Sequence, residues 1–196
     1  MTADRLQQLL ARIDQLNRQD PRTEMAGGVS HPQEFLYAQR VTEWVMRLEP
    51  QASEALRIVA RGQHLCRWRI PRERYERTRA GYLKWRETLK AFHAQQVAQL
   101  MQELGYAPEA IDRVRRIMSK RELATDPDTQ TLEDALCLVF LETQFADLRK
   151  KTPDETMREV IRKTWQKMSP RGRQAAIELP LNEEDRTFLE SVVRSQ

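Results

Sequence analysis

The chain has little cysteine, little glycine, little histidine and no long apolar run, and each shortage excludes something. Its two cysteines, Cys66 and Cys137, lie far apart and each falls in a helical apolar pattern. That arrangement indicates neither a disulfide framework nor a thiolate zinc cluster, so both are expected as buried thiols. Six glycines in 196 residues leave few positions for the turns of a strand-rich fold. No segment reaches the roughly 18–20 consecutive apolar residues of a bilayer span. Nor does a basic stretch followed by an apolar one open the chain. The expected setting is cytoplasmic, with no membrane partner. Histidine occurs only at positions 31, 64 and 93, which makes its placement informative.

Charge is what the chain has in quantity. Charged residues make up 32% of it and apolar residues 40%, the composition of a water-exposed helical protein. Its length suffices for one well-packed core and is short for two, so a single domain over 1–196 is expected. The net charge of +4 is unevenly spread. Between Arg61 and Lys90 ten basic residues face three acidic ones, while the remainder of the chain is slightly acidic. Such a basic segment attracts phosphate groups or a nucleic-acid backbone. Taken alone, it also fits a solvated face with scattered ion pairs.

Apolar spacing close to 3.6 residues predicts helices over 2–17, 30–48, 52–65, 81–104, 108–118 and 131–149, and again near 154–168, 171–177 and 183–194. In the second, Ser30, Pro32 and Gln33 suggest a capped start, and Glu34, Ala38, Val41, Val45 and Leu48 form the inward stripe. Residues 20–28 read as a linker. Residues 67–80, with Pro71 and dense charge, read as an extended basic loop carrying Trp68. The run Ala135–Leu141 is almost wholly apolar and predicts a helix buried on most sides. The fold class is all-α, a compact multi-helix core over about 30–150 with additional terminal helices at 2–17 and 154–194.

His64 follows Leu56 and Ala60 at four-residue spacing, and His93 lies between Leu89 and Val97, so both rings point inward. Asp134 and, roughly, Glu142 share a face of the apolar helix, and Glu34 heads its own inward stripe with His31 one turn earlier. Buried carboxylates need a partner. Directed at one interior with imidazoles, they either neutralise one another or hold a cation. Nitrogen and oxygen ligands without thiolate suit a divalent transition metal such as Zn, Mn, Fe or Ni.

In order, these elements resemble the HD-type metal-dependent phosphohydrolases. Ala60–Arg67 is similar to the helix end that carries their His-Asp pair, although it reads Gln63-His64 here. Leu132-Glu133-Asp134-Ala135 is similar to their distant aspartate motif, and His93 falls where many members place a further histidine. The chain more closely resembles the domain-of-unknown-function 4202 family. It does so over about Pro32–Met168, through Glu34–Ala38, Arg61 with Gln63-His64, Arg67-Trp68, Ile70–Arg72, Trp85-Arg86, Phe92–Ala94, Leu132–Asp134, Phe140–Glu142 and Lys163–Ser169. That likeness implies an HD-like core whose metal set is Glu34, rather than His31, with His64, His93 and Asp134. Glu133 or Glu142 would accept a proton. Arg61, Gln63, Arg67, Arg72 and Arg86 would hold an anionic small-molecule ligand, with Trp68 or Trp85 stacking on a base or closing the core. Lys120 would be an anion contact or a helix-end charge. The expected activity is metal-dependent hydrolysis of a small phosphorylated or nucleotide-like ligand. The alternative is a non-catalytic protein binding RNA or another protein through residues 67–86.

Overall fold

Helical periodicity accounts for nearly all the backbone. The computed structural model describes residues 2–194. Its helices are α1 (Thr2–Asn17), α2 (Gln33–Leu48), α3 (Glu54–Gly62), α4 (Arg79–Glu103), α5 (Pro108–Ser119), α6 (Pro127–Thr143), α7 (Phe145–Arg149), α8 (Asp154–Lys167), α9 (Pro170–Ile177) and α10 (Glu183–Val193). Against them stands one antiparallel hairpin, β1 (Thr23–Ala26) with β2 (Val29–Pro32), so the fold is all-α. Among the described residues no helix is long and apolar enough to cross a membrane.

The central element is α6. From Thr131 to Leu141 only Leu136 and Phe140 are less than fully buried, because α2, α3, α5, α8 and α9 all pack on it. The inward stripe of α2 is buried throughout, with Phe35 and Leu36 added. Both cysteines are buried free thiols. Each fully enclosed leucine, such as Leu56, Leu132 and Leu138, contributes about 1.5–3 kcal/mol through removal from water. Side-chain caps set several boundaries: Ser53, Thr78, Asp126, Ser169 and Asn182 each accept the backbone N–H of the third residue of the helix that follows.

Several boundaries differ from expectation, among them α3, which ends at Gly62 and leaves His64 in a turn. Residues 20–28 are not a plain linker, because Gly27 and Gly28, both at positive φ, close the two-residue turn of the hairpin. Ser30 therefore lies in β2 and does not cap α2, which starts after Pro32 without a side-chain cap. The basic loop contains two 3₁₀ turns, Arg67–Arg69 and Arg72–Arg74. The expected helix over 131–149 begins earlier, where Asp126 caps and Pro127 opens it, and it breaks at Gln144 to give α6 and α7.

Glycine is required at Gly81 in the first turn of α4. A Cβ there would lie 2.3 Å from the Glu76 carbonyl oxygen, a backbone atom that cannot swing aside. Gly81→Ala is expected to cost about 1–3 kcal/mol, read as a lowered midpoint in denaturant unfolding. An unchanged midpoint would show that the Glu76 turn moves freely.

Candidate functional site

A cavity of about 610 Å³ is bordered by residues of α2, α4, α5, α6 and α8 and by the segment after α3. That volume lies within the usual span for small-molecule sites. The deep wall is built by the two inward histidines. His64 sits in the turn that ends α3, where the Leu65 N–H bonds the Gly62 carbonyl. Cys66, at φ 56°, then reverses the chain and starts the 3₁₀ turn at Arg67. The His64 ring stacks on Tyr37, with centroids 4.2 Å apart and planes at 7°. Its Nδ1 lies 3.2 Å from Glu34 Oε2.

Glu34 is 4% exposed. Burial pushes its carboxyl up, but the bond from His64 and the guanidiniums of Arg67 and Arg22 outweigh that and hold it below the usual carboxylate range. Glu34 is therefore the anion and His64 Nδ1–H the donor. This fixes the tautomer and leaves His64 Nε2 as an acceptor. Burial is also the main reason the His64 pKa falls below its ordinary value.

His93, one centroid step of 5.7 Å from His64, is fixed in the same sense. Its Nδ1–H donates to the Leu65 carbonyl at 2.9 Å. The residue is 3% exposed, and Nε2 has no hydrogen-bond partner among the described residues. Burial first, then the neighbouring His64 and Arg67, push its pKa down to about 3, so the ring is neutral. The Gln63 Oε1 atom, on the same cavity wall, is likewise buried without a partner.

Around this acceptor-rich wall the lining is cationic. Arg67, Arg86, Lys90, Lys120 and Lys167 border the cavity, against the single carboxylate of Glu133. Glu133 is held by Lys120 at 2.8 Å and Lys167 at 3.5 Å. Those two ammonium groups overcome burial and keep it ionised below its usual range. Lys90 also bridges to exposed Glu87 at 2.8 Å. Even with Glu87 and Glu34 placed behind the lining, the cavity keeps a positive surplus.

Lys120 occupies the left-handed cap position after α5, at φ 55°, where glycine is the usual residue. A lysine there carries backbone strain, and such strain concentrates at functional sites. Burial lowers the Lys120 pKa against the pull of Glu133. Trp85 borders the cavity with its indole N–H tied to the Ile70 carbonyl at 2.9 Å, and Arg67 lies over its ring.

Of the expected site residues, the fold brings Gln63, His64, Arg67, Trp85, Arg86, His93, Lys120 and Glu133 to the cavity, with Glu34 directly behind His64. It sends the others elsewhere. Asp134, 1% exposed, faces α9. One of its oxygens accepts from Ser169 N (2.8 Å) and Gln130 Nε2 (3.0 Å), the other from Ser169 Oγ (2.5 Å). Glu142 accepts from Trp44 Nε1 at 2.8 Å outside the cavity. Arg61 pairs with Asp14 of α1. Arg72 ties down its own loop through the Tyr75 and Glu76 carbonyls, and Trp68 packs on the core. His31 lies in β2 opposite Glu24.

Of the four residues expected to share a metal, His64 and His93 line the cavity. Asp134 is turned toward α9 and accepts three hydrogen bonds there, and Glu34 is already engaged by Arg22 at 2.8 Å, Arg67 at 3.7 Å and His64. Among the described residues no group of three or more His, Cys, Asp or Glu side chains is placed to hold an ion.

Sequence reasoning missed Tyr37, Lys90 and Lys167, which line the cavity, and Asp20 with Arg22, which brace Glu34. Tyr37 and Lys90 each stand three residues from a singled-out position, Glu34 and His93, so helical spacing carried a signal for both. Lys167 and the hairpin pair had none, since only tertiary packing brings them in. Cys137 also lines the cavity, but burial pushes its thiol up to about 12, so it is no nucleophile near neutrality. Searches of curated proteins and of solved structures found no match. The family model described as a domain of unknown function (DUF4202) matches residues 7–189. That span takes in the hairpin, both histidine-bearing segments and the cation-bearing helices, and the chain belongs to the DUF4202 family.

Proposed function

We propose that the chain binds a small phosphorylated, nucleotide-like ligand in this cavity. The observation that carries the reading is the surplus of lysine and arginine around one half-open cavity, whose one lining carboxylate among the described residues is already neutralised by two of them. Guanidinium and ammonium groups bind phosphate oxygens through charge-assisted hydrogen bonds, and Trp85 and Tyr82 on the same wall suit a flat or apolar moiety. The test is calorimetric titration with inorganic phosphate and adenosine monophosphate. Binding is expected for both, and it should weaken at least about 10-fold in an Arg86→Gln, Lys90→Gln double variant, two substitutions near the cavity mouth. Absence of binding at millimolar ligand, or affinity indifferent to the double substitution, would count against the proposal.

Metal-assisted phosphoester hydrolysis, the activity that the HD-type likeness implies, is a narrower form of this reading. The carboxylates expected to serve it are otherwise engaged: Glu133 by two lysines and Glu142 by Trp44. Phosphate release from adenosine monophosphate that requires His64 and added Mn, Zn, Fe or Ni would add it.

A second reading, RNA binding by residues 67–86, is favoured by one separate observation. Arg69, Arg74, Arg77, Arg79 and Lys84 are exposed, and none of them forms a salt bridge among the described residues. Salt-dependent retention of single-stranded RNA, lost on Arg69→Gln, Arg74→Gln and Arg77→Gln with the fold intact, would support it.

A further inference from the structure

Charge is only half of what the cavity offers. Its deep wall contains acceptors: His93 Nε2 and Gln63 Oε1, both closed off from solvent and without partners among the described residues, and His64 Nε2, left as an acceptor by the bond to Glu34. Three of the lining cations sit nearer the mouth, whereas Arg67 and Lys120, with side chains 26% and 22% exposed, lie as deep as His64 at 23%. Side-chain exposure is 49% for Lys167 and 39% for Lys90, and Arg86 is exposed. A phosphate has no hydrogen to give at its ionised oxygens, so it does not satisfy the deep wall. A buried acceptor left without a donor costs free energy, and a site built around such acceptors selects ligands that supply the donor.

Resting on the phosphate-binding reading above, we infer that the ligand is a hydroxyl-bearing phosphomonoester, of the sugar or nucleoside phosphate class. It binds with its phosphate toward Arg86, Lys90 and Lys167 and a hydroxyl donating to the Gln63–His64–His93 wall. The Glu34–His64 pair gives that wall a fixed polarity. Because Glu34 takes the Nδ1 proton, His64 cannot present a donor to the cavity without becoming cationic. His93 is locked the same way by the Leu65 carbonyl. Two imidazoles held as acceptors side by side suit a hydroxyl donor, and Arg67 and Lys120 lie beside them.

The test compares two probes that share a phosphate and a three-carbon chain: glycerol 3-phosphate, with two hydroxyls, and n-propyl phosphate, with none. Calorimetry on the full chain is expected to give at least 10-fold tighter binding of glycerol 3-phosphate. In His93→Leu the ratio should collapse to about 2 or less, with n-propyl phosphate binding as before. The Arg86→Gln, Lys90→Gln variant should weaken both probes equally. Should His93→Leu fail to fold, the ¹⁵N resonance of His93 Nε2 in the unmodified chain reports directly: it should shift with glycerol 3-phosphate and stay with n-propyl phosphate.

Equal affinity for the two probes would overturn this inference and leave the phosphate site standing. Binding of neither would overturn both. A preference for glycerol 3-phosphate that survives His93→Leu with the Nε2 resonance unmoved would place the hydroxyl contact elsewhere, and would also overturn it.

Discussion

Asp134→Ala is expected to lower stability by about 3 kcal/mol while leaving phosphate affinity at the cavity unchanged. The carboxylate is 1% exposed and receives three hydrogen bonds, two from Ser169 and one from Gln130. It thereby anchors the residue that caps α9, since Ser169 Oγ in turn accepts from Gly172 N. Without it, the Ser169 N–H and the Gln130 amide lose a buried acceptor, and α9 loses its tie to α6. Gly172 packs so closely that a Cβ there would come within 2.6 Å of the Asp134 carboxyl carbon, so Gly172 itself offers no side chain to fill the space that alanine would leave. In a chain of this size the loss corresponds to a fall of roughly 6–12 °C in Tm. Thermal unfolding paired with phosphate titration checks both halves. An unchanged Tm together with lost ligand binding would return Asp134 to the site from which its hydrogen bonds now separate it.

Acid should unfold the protein early, because two imidazoles are buried neutral. The His93 pKa is pushed from 6.5 down to about 3, chiefly by burial, and the His64 pKa is lowered for the same leading reason despite Glu34. In the unfolded chain both protonate near pH 6.5, whereas the folded chain resists. The stability these groups leave intact is fully present above pH 6.5 and falls as pH drops toward the folded value. Each contributes a slope of up to about 1.4 kcal/mol per pH unit. Glu34 acts in the same direction at lower pH: its depressed pKa contributes stability above about 4.5 that is lost as pH falls through the folded value. Denaturant midpoints measured from pH 8 to pH 4 should be flat to about 6.5 and then decline steeply. His93→Leu should remove close to one proton from that slope. A flat profile down to pH 5 would mean the rings are solvated in solution.

Much of this architecture was legible because helices write their packing into local sequence. The α2 stripe, the buried run of α6 and the inward direction of His93 all follow from spacing near 3.6 residues, whereas His64 reaches the cavity from the turn after α3. The hairpin was less legible, since two four-residue strands carry too little alternation to stand out, although Gly27-Gly28 marked their turn. Inward direction alone was an insufficient guide to the site. Asp134 and Glu133 are neighbours on one buried helix, and their side chains diverge by the roughly 100° that separates adjacent helical positions. One therefore meets Ser169 and the other meets Lys120.

From the sequence alone come the all-α class, the helix set, the two free buried thiols, the concentration of positive charge near the second and third histidines, and a likeness to the DUF4202 family that its family model bears out over residues 7–189. Those depend on composition and on contacts within a few residues of chain. Only the tertiary structure decided which charges meet. It brought Lys120, from the cap after α5, and Lys167, from α8, to Glu133 of α6, while it gave Arg61 to Asp14, Glu142 to Trp44 and Asp134 to Ser169. The reason is that a charged side chain on a buried face must find a partner within hydrogen-bond reach. Which partner is within reach is set by how helices distant in sequence are packed.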